Sequence, residues 1–376
     1  MIVFISNFLN HHQLGLCKEL SKYDEFCFIA SEPTFSEQKQ LGYDDMNTQY
    51  DFVLRMYESQ ENRIKAQELL NTADIVIAGS CSFPFEMIVP RLNENKLTFW
   101  FSERLFKISD LELFYPPKVK RVLTQCTKYR KNNFYLLSAG SFVARDYKKL
   151  GAFKGKSFSW GYFPPVIQQD LNLLISKKSK KLSILWVARY LKLKRPEMAL
   201  YVARQLKKAD IDFEMKMIGS GILHGKIEKK IKKYGLEDCV KQLGALPFRE
   251  VRNYMDEAQI FMFTSNRREG WGAVLNESMN SACAVVVGNS IGSAKNLISD
   301  GENGILFKNR AQLVNAVKKL SEDCDLRQRM GSNAYETVTG VWGIETAAKR
   351  FYDVAQALLN AEDVPDYEFG PMKKEQ

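Results

Sequence analysis

Two successive series of short β-branched and aromatic runs, each interleaved with stretches of helical periodicity, dominate this chain and leave few folds open to it. In the first half the runs fall at Ile2–Ser6, Phe26–Ser31, Asp74–Gly79, Leu97–Ser102, Phe134–Ala139 and Ser157–Tyr162. Several are apolar throughout, as strands buried on both faces must be. The second series has strands at Ser183–Val187, Phe213–Ile218, Gln259–Thr264 and Ala284–Gly288, with helices at Pro196–Lys207, Lys226–Tyr234, Phe248–Glu257 and Val274–Ser281 between them. Strands alternating with helices build parallel sheets covered on both faces. A length of 376 residues exceeds what one core sustains, roughly 250–300 residues. The expectation is therefore α/β, with two doubly wound parallel-sheet domains over 1–163 and 164–343. Phe163-Pro164-Pro165 and the lysine-rich stretch to Lys181 read as the linker. After Trp342, Ala347, Phe351, Val354, Ala355 and Leu358 line one face of a helix, 344–360, expected to pack back on the first domain. Residues 361–376 read as a flexible tail.

Composition narrows the partners. Lys and Arg outnumber Asp and Glu by 54 to 44, a net charge of +10, which suits a phosphate-bearing ligand or an anionic membrane surface. Much of the excess sits in the run Lys177–Lys181 and in the segment after Gly225, where Ile227, Ile231 and Tyr234 give a helix one apolar stripe and a lysine-coated outer face. No basic-aromatic platform for nucleic acid is present. No apolar run approaches the ~20 residues that span a bilayer. The start, MIVFISNF, reads as a strand rather than a leader. Seven cysteines without a CxxC pair read as buried free thiols of a reducing, cytoplasmic compartment.

The segment TSNRREGWGAVLNESMNSACAVVVG, Thr264–Gly288, carries the chemistry. A strand ends, a polar loop follows, and Glu269 precedes Gly270 and Gly272 at the start of an apolar helix containing Glu277. Unpaired N–H groups at a helix start attract anions, and glycines admit a ligand close to the backbone. Glu269 can accept hydrogen bonds from a polyhydroxylated ligand, and Glu277 can reach a ribose. Each is equally readable as a solvated surface carboxylate.

Two glutamates in the frame EGWGxxxxES resemble the signature of retaining glycosyltransferases of family 4, with the GT-B fold. The likeness continues through VARYLKLKRPEMAL (Val187–Leu200, with Arg189 and Lys194), MIGSG (Met217–Gly221, with Gly219), Gly235–Ser265 and SIGSAKNLISDGENGILF (Ser290–Phe307). The resemblance implies two Rossmann-like domains facing across a cleft, the first on the acceptor side and the second binding a nucleotide sugar. It implies that Glu269 contacts the donor sugar, that Glu277 contacts the ribose, and that Arg189 and Lys194 stabilise the departing diphosphate. Gly270, Trp271, Gly272, Ala273, Val274 and Gly219 complete the donor site. It further implies sugar transfer with retention to a glycan or lipid-linked acceptor, in surface polysaccharide synthesis at the inner face of a membrane. No metal or other cofactor is expected: Asp210-Ile211-Asp212 lies in a connection and Asp323-Cys324-Asp325 in a late helical stretch, so neither makes a DxD site.

The first domain departs from that family. Its usual glycine-rich loop is replaced by Ser6–Leu20, which brings His11 and His12. Where a histidine is common, Phe99–Lys107 offers Ser102, Glu103 and Arg104. The two histidines contact sugar or merely start a helix; they lack the spacing and further ligands of a metal pair. Glu103 and Arg104 contact sugar or pair with each other. Lys295-Asn296 stands where the family commonly has a glutamate. An inverting enzyme would need His12 or Glu103 as base. A dinucleotide oxidoreductase has only the isolated Gly219–Gly221 fragment in its favour, and a non-catalytic nucleotide-binding protein is the remaining alternative.

Overall fold

The apolar runs become the inner strands of two separate sheets in a computed structural model that describes residues 1–34, 45–79 and 83–375. The chain divides into two units: Met1–Pro165 with Val341–Gln376, and Val166–Gly340.

The first unit contains β1 (Ile2–Ser6), β2 (Phe26–Ala30), β3 (Val53–Arg55), β4 (Ile75–Gly79), β5 (Thr98–Ser102), β6 (Phe134–Ala139) and β7 (Ser157–Trp160). They lie in the order β7-β6-β5-β4-β1-β2-β3, all parallel. Every residue of β1 and β4 is buried, because helices cover both faces. Arg91 is fully buried beneath this sheet. It donates to Thr98 Oγ1 at 2.9 Å and to the carbonyls of Leu97 (2.6 Å), Ala73 (3.1 Å) and Leu70. Burial lowers its pKa to about 10.

The helix Ile344–Leu359 belongs to this unit and packs on the helix His11–Leu20. The helices approach so closely that a Cβ on Gly15 would stand 2.6 Å from Ile344 Cδ1. Beyond it, the stretch expected as a flexible tail is tied down. Arg350 donates to the carbonyls of Phe369 (2.6 Å) and Pro371 (3.3 Å), and Met372 is fully buried. Then β14 (Lys374–Glu375) pairs antiparallel with β7 at the edge of the sheet. Backbone pairing and an arginine clamp override the polar composition there.

The second unit has six parallel strands: β8 (Ser183–Val187), β9 (Glu214–Ile218), β10 (Val240–Gly244), β11 (Ile260–Phe263), β12 (Ala284–Gly288) and β13 (Ile305–Phe307). Their order, β10-β9-β8-β11-β12-β13, is that of a dinucleotide-binding sheet, with strand order reversing between β8 and β11. Ile227 and Ile231 seat the helix His224–Lys233 on the core, leaving its lysines outward. The Lys177–Lys181 stretch is part of this unit and not a linker. Lys178 Nζ donates to the carbonyls of Ala258 (2.8 Å) and Ser281 (2.5 Å), and Lys181 pairs with Asp212 at 2.5 Å. All six described cysteines are free; Cys324 is exposed, against the expectation of burial, and Cys81 lies outside the described residues.

Candidate functional site

Crevices in doubly wound sheets open beyond the carboxyl ends of the strands where their order reverses. In the second unit that point lies between the loop after β8, with Arg189 and Lys194, and the loop after β11, Thr264–Ala273. The two loops are bound to each other. Thr264 Oγ1 donates to the Lys194 carbonyl at 2.7 Å and accepts from Trp186 Nε1 at 2.9 Å, and Asn266 N–H donates to Leu193 O at 2.8 Å. This framing brings Lys194 Nζ to 2.5 Å from Glu269 Oε2, with the side chains only 15% and 13% exposed. Arg189 is exposed at the end of the same strand. Thr264 and Trp186 were not singled out in the sequence; only their place at strand ends pointed to them.

Three glycines shape these loops. Gly272 has φ +82° and a Cβ there would meet the Phe263 ring at 2.4 Å, so packing demands it. A Cβ on Gly219 (φ +132°) would lie 2.1 Å from the carbonyl oxygen of Ala188, beside Arg189. Gly292, missed in the sequence, lets a second loop pass Gly270: a Cβ there would sit 1.8 Å from its carbonyl oxygen. Trp271 does not offer its ring to a ligand. It is fully buried and its Nε1 donates to Asn276 Oδ1 at 2.8 Å. Ala273 and Val274 are partly buried at the start of the helix Val274–Asn280. That helix is seven residues long, and Glu277 stands in its first turn. Burial pushes the Glu277 carboxyl up to about 7, opposed by the nearby Arg252, which donates to the Glu277 carbonyl and to Asn280 Oδ1 at 2.8 Å.

In the first unit strand order reverses between β1 and β4, where a cavity of about 650 Å³ is lined by His11, His12, Glu103, Arg104, Lys118 and Tyr162 among others. Asn10 caps the helix that starts at His11, accepting from His12 N–H at 3.0 Å. The His12 ring stacks on Tyr162, centroids 5.8 Å apart and planes 6° apart. Burial, with His11 alongside, pushes the His12 pKa down to about 3. Glu103 and Arg104 do not pair with each other. Glu103 accepts from Tyr162 Oη at 2.8 Å and pairs with Lys107 at 2.6 Å. Arg104 lines the cavity but is largely buried in its wall, 3.5 Å from Asp146 and stacked over Phe142. Ser102 accepts from Tyr147 Oη at 2.9 Å and is likewise structural.

Residues 174–337 match the family Glycosyl transferases group 1, nearly the whole second unit. An uncharacterized glycosyltransferase of Methanocaldococcus jannaschii is 35% identical over 130 residues, 34% of this chain and 36% of that protein. An N-acetylgalactosaminyltransferase of Campylobacter jejuni, named as acting on a sugar linked through diphospho-undecaprenol, is 26% identical over 264 residues, 63% of this chain and 70% of that protein. The first of these alignments spans about a third of the relative it matches. Among solved structures, Anabaena HepE, crystallised with UDP, has a TM-score of 0.69 at 15% identity, covering 95% of this chain and 99% of its own. Two parallel-sheet, Rossmann-like α/β units, as in the GT-B glycosyltransferases, are thus the fold of this chain.

Proposed function

We propose, from the premise that the second unit carries a glycosyl transferases group 1 domain, that this chain is a nucleotide-sugar-dependent glycosyltransferase of surface polysaccharide synthesis, working with retention on a glycan or lipid-linked acceptor in the cytoplasm. One observation carries the reading: the Lys194–Glu269 pair at the point where the strand order of the second sheet reverses. A cation and a carboxylate held in contact can serve the two ends of a nucleotide sugar. Lys194, with Arg189, stabilises charge that develops on the diphosphate as it leaves, and Glu269 accepts hydrogen bonds from the sugar hydroxyls. Glu277 accepts from the ribose. The C1–O bond to phosphate breaks, the acceptor oxygen bonds C1 on the same face, and its proton passes to the departing phosphate oxygen. These side-chain cations take the part that a metal plays elsewhere.

The first unit supports retention over inversion. A His12 with a pKa near 3 is a weak base at neutral pH, and both Glu103 oxygens are engaged by Tyr162 and Lys107. The C. jejuni relative favours a lipid-linked acceptor. A thermal-shift screen against UDP, GDP, ADP and CMP tests the donor site, since ligand at 100 times its Kd stabilises by about 2.7 kcal/mol. NMR of the product anomer tests retention. Glu269→Gln is expected to lower kcat about 10²–10³-fold while nucleotide affinity stays within about threefold. Unchanged turnover would remove Glu269 from the mechanism.

A further inference from the structure

Glu277 stands on a helix that cannot hold itself in place. Val274–Asn280 is seven residues long and has no side-chain cap at its start, and isolated helices of that length are not stable in water. At its other end, the N–H of Ser281 would ordinarily close on the Glu277 carbonyl, four residues back. It is turned instead to the carbonyls of Ser278 and Met279. The Glu277 carbonyl is left without its intrahelical partner, and Arg252 takes it.

Arg252 reaches across from the helix Phe248–Glu257 and is only 5% exposed. One arm of its guanidinium donates to the Glu277 carbonyl and the other to Asn280 Oδ1 at 2.8 Å. Asn280 is itself anchored, accepting from Ile167 N–H at 2.9 Å and donating through Nδ2 to Ile167 O at 3.1 Å. Ser281, just beyond, donates through Oγ to Asp256 Oδ1 at 2.6 Å, one turn along from Arg252. A planar fork thus spans the last turn of the helix that carries Glu277. As a stabilising device it is poor. Its Nε has no partner, and a guanidinium buried against two acceptors recovers little of its desolvation cost. Arg91 in the first unit, by contrast, has five. Arg252 also bears on the carboxyl group. Burial drives Glu277 towards its neutral form, and the Arg252 charge opposes this, which keeps both oxygens able to accept.

We infer, on the reading that Glu277 accepts from the ribose, that Arg252 is a positioning residue of the donor site: by holding the Glu277 carbonyl it fixes where that residue's carboxylate meets the ribose hydroxyls. Arg252 acts through Glu277 and the turn beneath it, and it makes no contact with substrate of its own. Ribose recognition is then built from two helices, one presenting the acceptor and the other setting its place.

The test is isothermal titration of the full chain with UDP, GDP, ADP and CMP, each against its 2′,3′-dideoxy form. A hydrogen bond to a charged acceptor changes affinity about ten- to a hundredfold, so the wild-type protein should prefer the ribose form of its nucleotide by that factor. Arg252→Met should reduce the preference to within about threefold, while affinity for the dideoxy form stays within about threefold of wild type. Arg252→Lys keeps a buried cation without the fork, so it is the milder variant should the methionine one unfold, and it should lose most of the preference too. A preference unchanged in both variants would overturn the proposal. So would an equal loss for both sugar forms, since that marks an arginine that merely holds the unit together. Glu277→Ala separates the two levels. If it abolishes the preference while the arginine variants keep it, the role of Arg252 alone fails. If it leaves the preference intact, or if the wild-type protein shows none, the ribose reading of Glu277 fails and this proposal with it.

Discussion

Replacing Lys194 by methionine keeps much of the side-chain volume and removes the charge 2.5 Å from Glu269. At an effective dielectric of about 20, two unit charges at that distance attract by roughly 7 kcal/mol. Most of this is offset by desolvation, because both side chains are about 85% shielded. Breaking a fully buried pair costs about 3–5 kcal/mol and an exposed one about 0–1, which places this one near 2 kcal/mol. For a unit of this size the expected fall in Tm is about 4–8 °C. In transfer, losing one positioned cation at a departing diphosphate is expected to cost about 10²–10³ in kcat. Thermal unfolding of Lys194→Met, Glu269→Gln and the double variant gives the coupling energy directly. The double variant should be less destabilised than the two singles added together, since no lone charge is left. A coupling indistinguishable from zero, together with Lys194→Met turnover near that of wild type, would refute the assignment of this pair as the centre of the site.

Gly292→Ala should displace the Gly270 loop, because its Cβ would fall 1.8 Å from a backbone oxygen; nucleotide titration should show lost donor affinity, with little change in the melting of the first unit. Arg91→Met leaves five carbonyl and hydroxyl partners without their donor inside the first unit, and chemical denaturation should record a loss of about 3–5 kcal/mol. Burial pushes the Glu375 carboxyl up to about 7, above its unfolded value near 4.3. The folded state therefore binds the extra proton, and this contribution to docking of β14 is complete below about pH 4.3 and lost as pH rises through 7. Amide exchange at residues 372–375 should be slower at pH 5 than at pH 8 after correction for intrinsic rates, and Glu375→Gln should flatten the difference.

The inner strands were legible because burial on both faces writes a continuous apolar run, as in Ile75–Gly79 and Ala284–Gly288. Edge strands were harder to read, and Lys374–Glu375 reads as tail in the sequence. Val53–Arg55 is short and only partly buried, and Val240–Gly244 carries Lys241 and Gln242 on an edge that tolerates them. The Lys194 and Glu269 positions could be read from motif spacing, but their contact depends on Thr264 bridging two loops 70 residues apart in sequence, which no local pattern encodes. Trp271 is implied as a donor-site residue by the family signature; its partner Asn276, five residues on, takes its ring into the core. Glu103 and Arg104 were adjacent and of opposite sign, yet successive residues leaving a strand diverge, and each found its partner elsewhere.

The return of Val341–Gln376 to the first unit also orders events during synthesis. The second unit is one uninterrupted stretch and can close its core as soon as it leaves the ribosome, while the first must wait for a helix and an edge strand encoded after the second unit. Until β14 arrives, β7 is an open margin able to recruit a strand from another nascent chain. A premature stop near residue 340 would therefore yield an intact second unit joined to an aggregation-prone first unit.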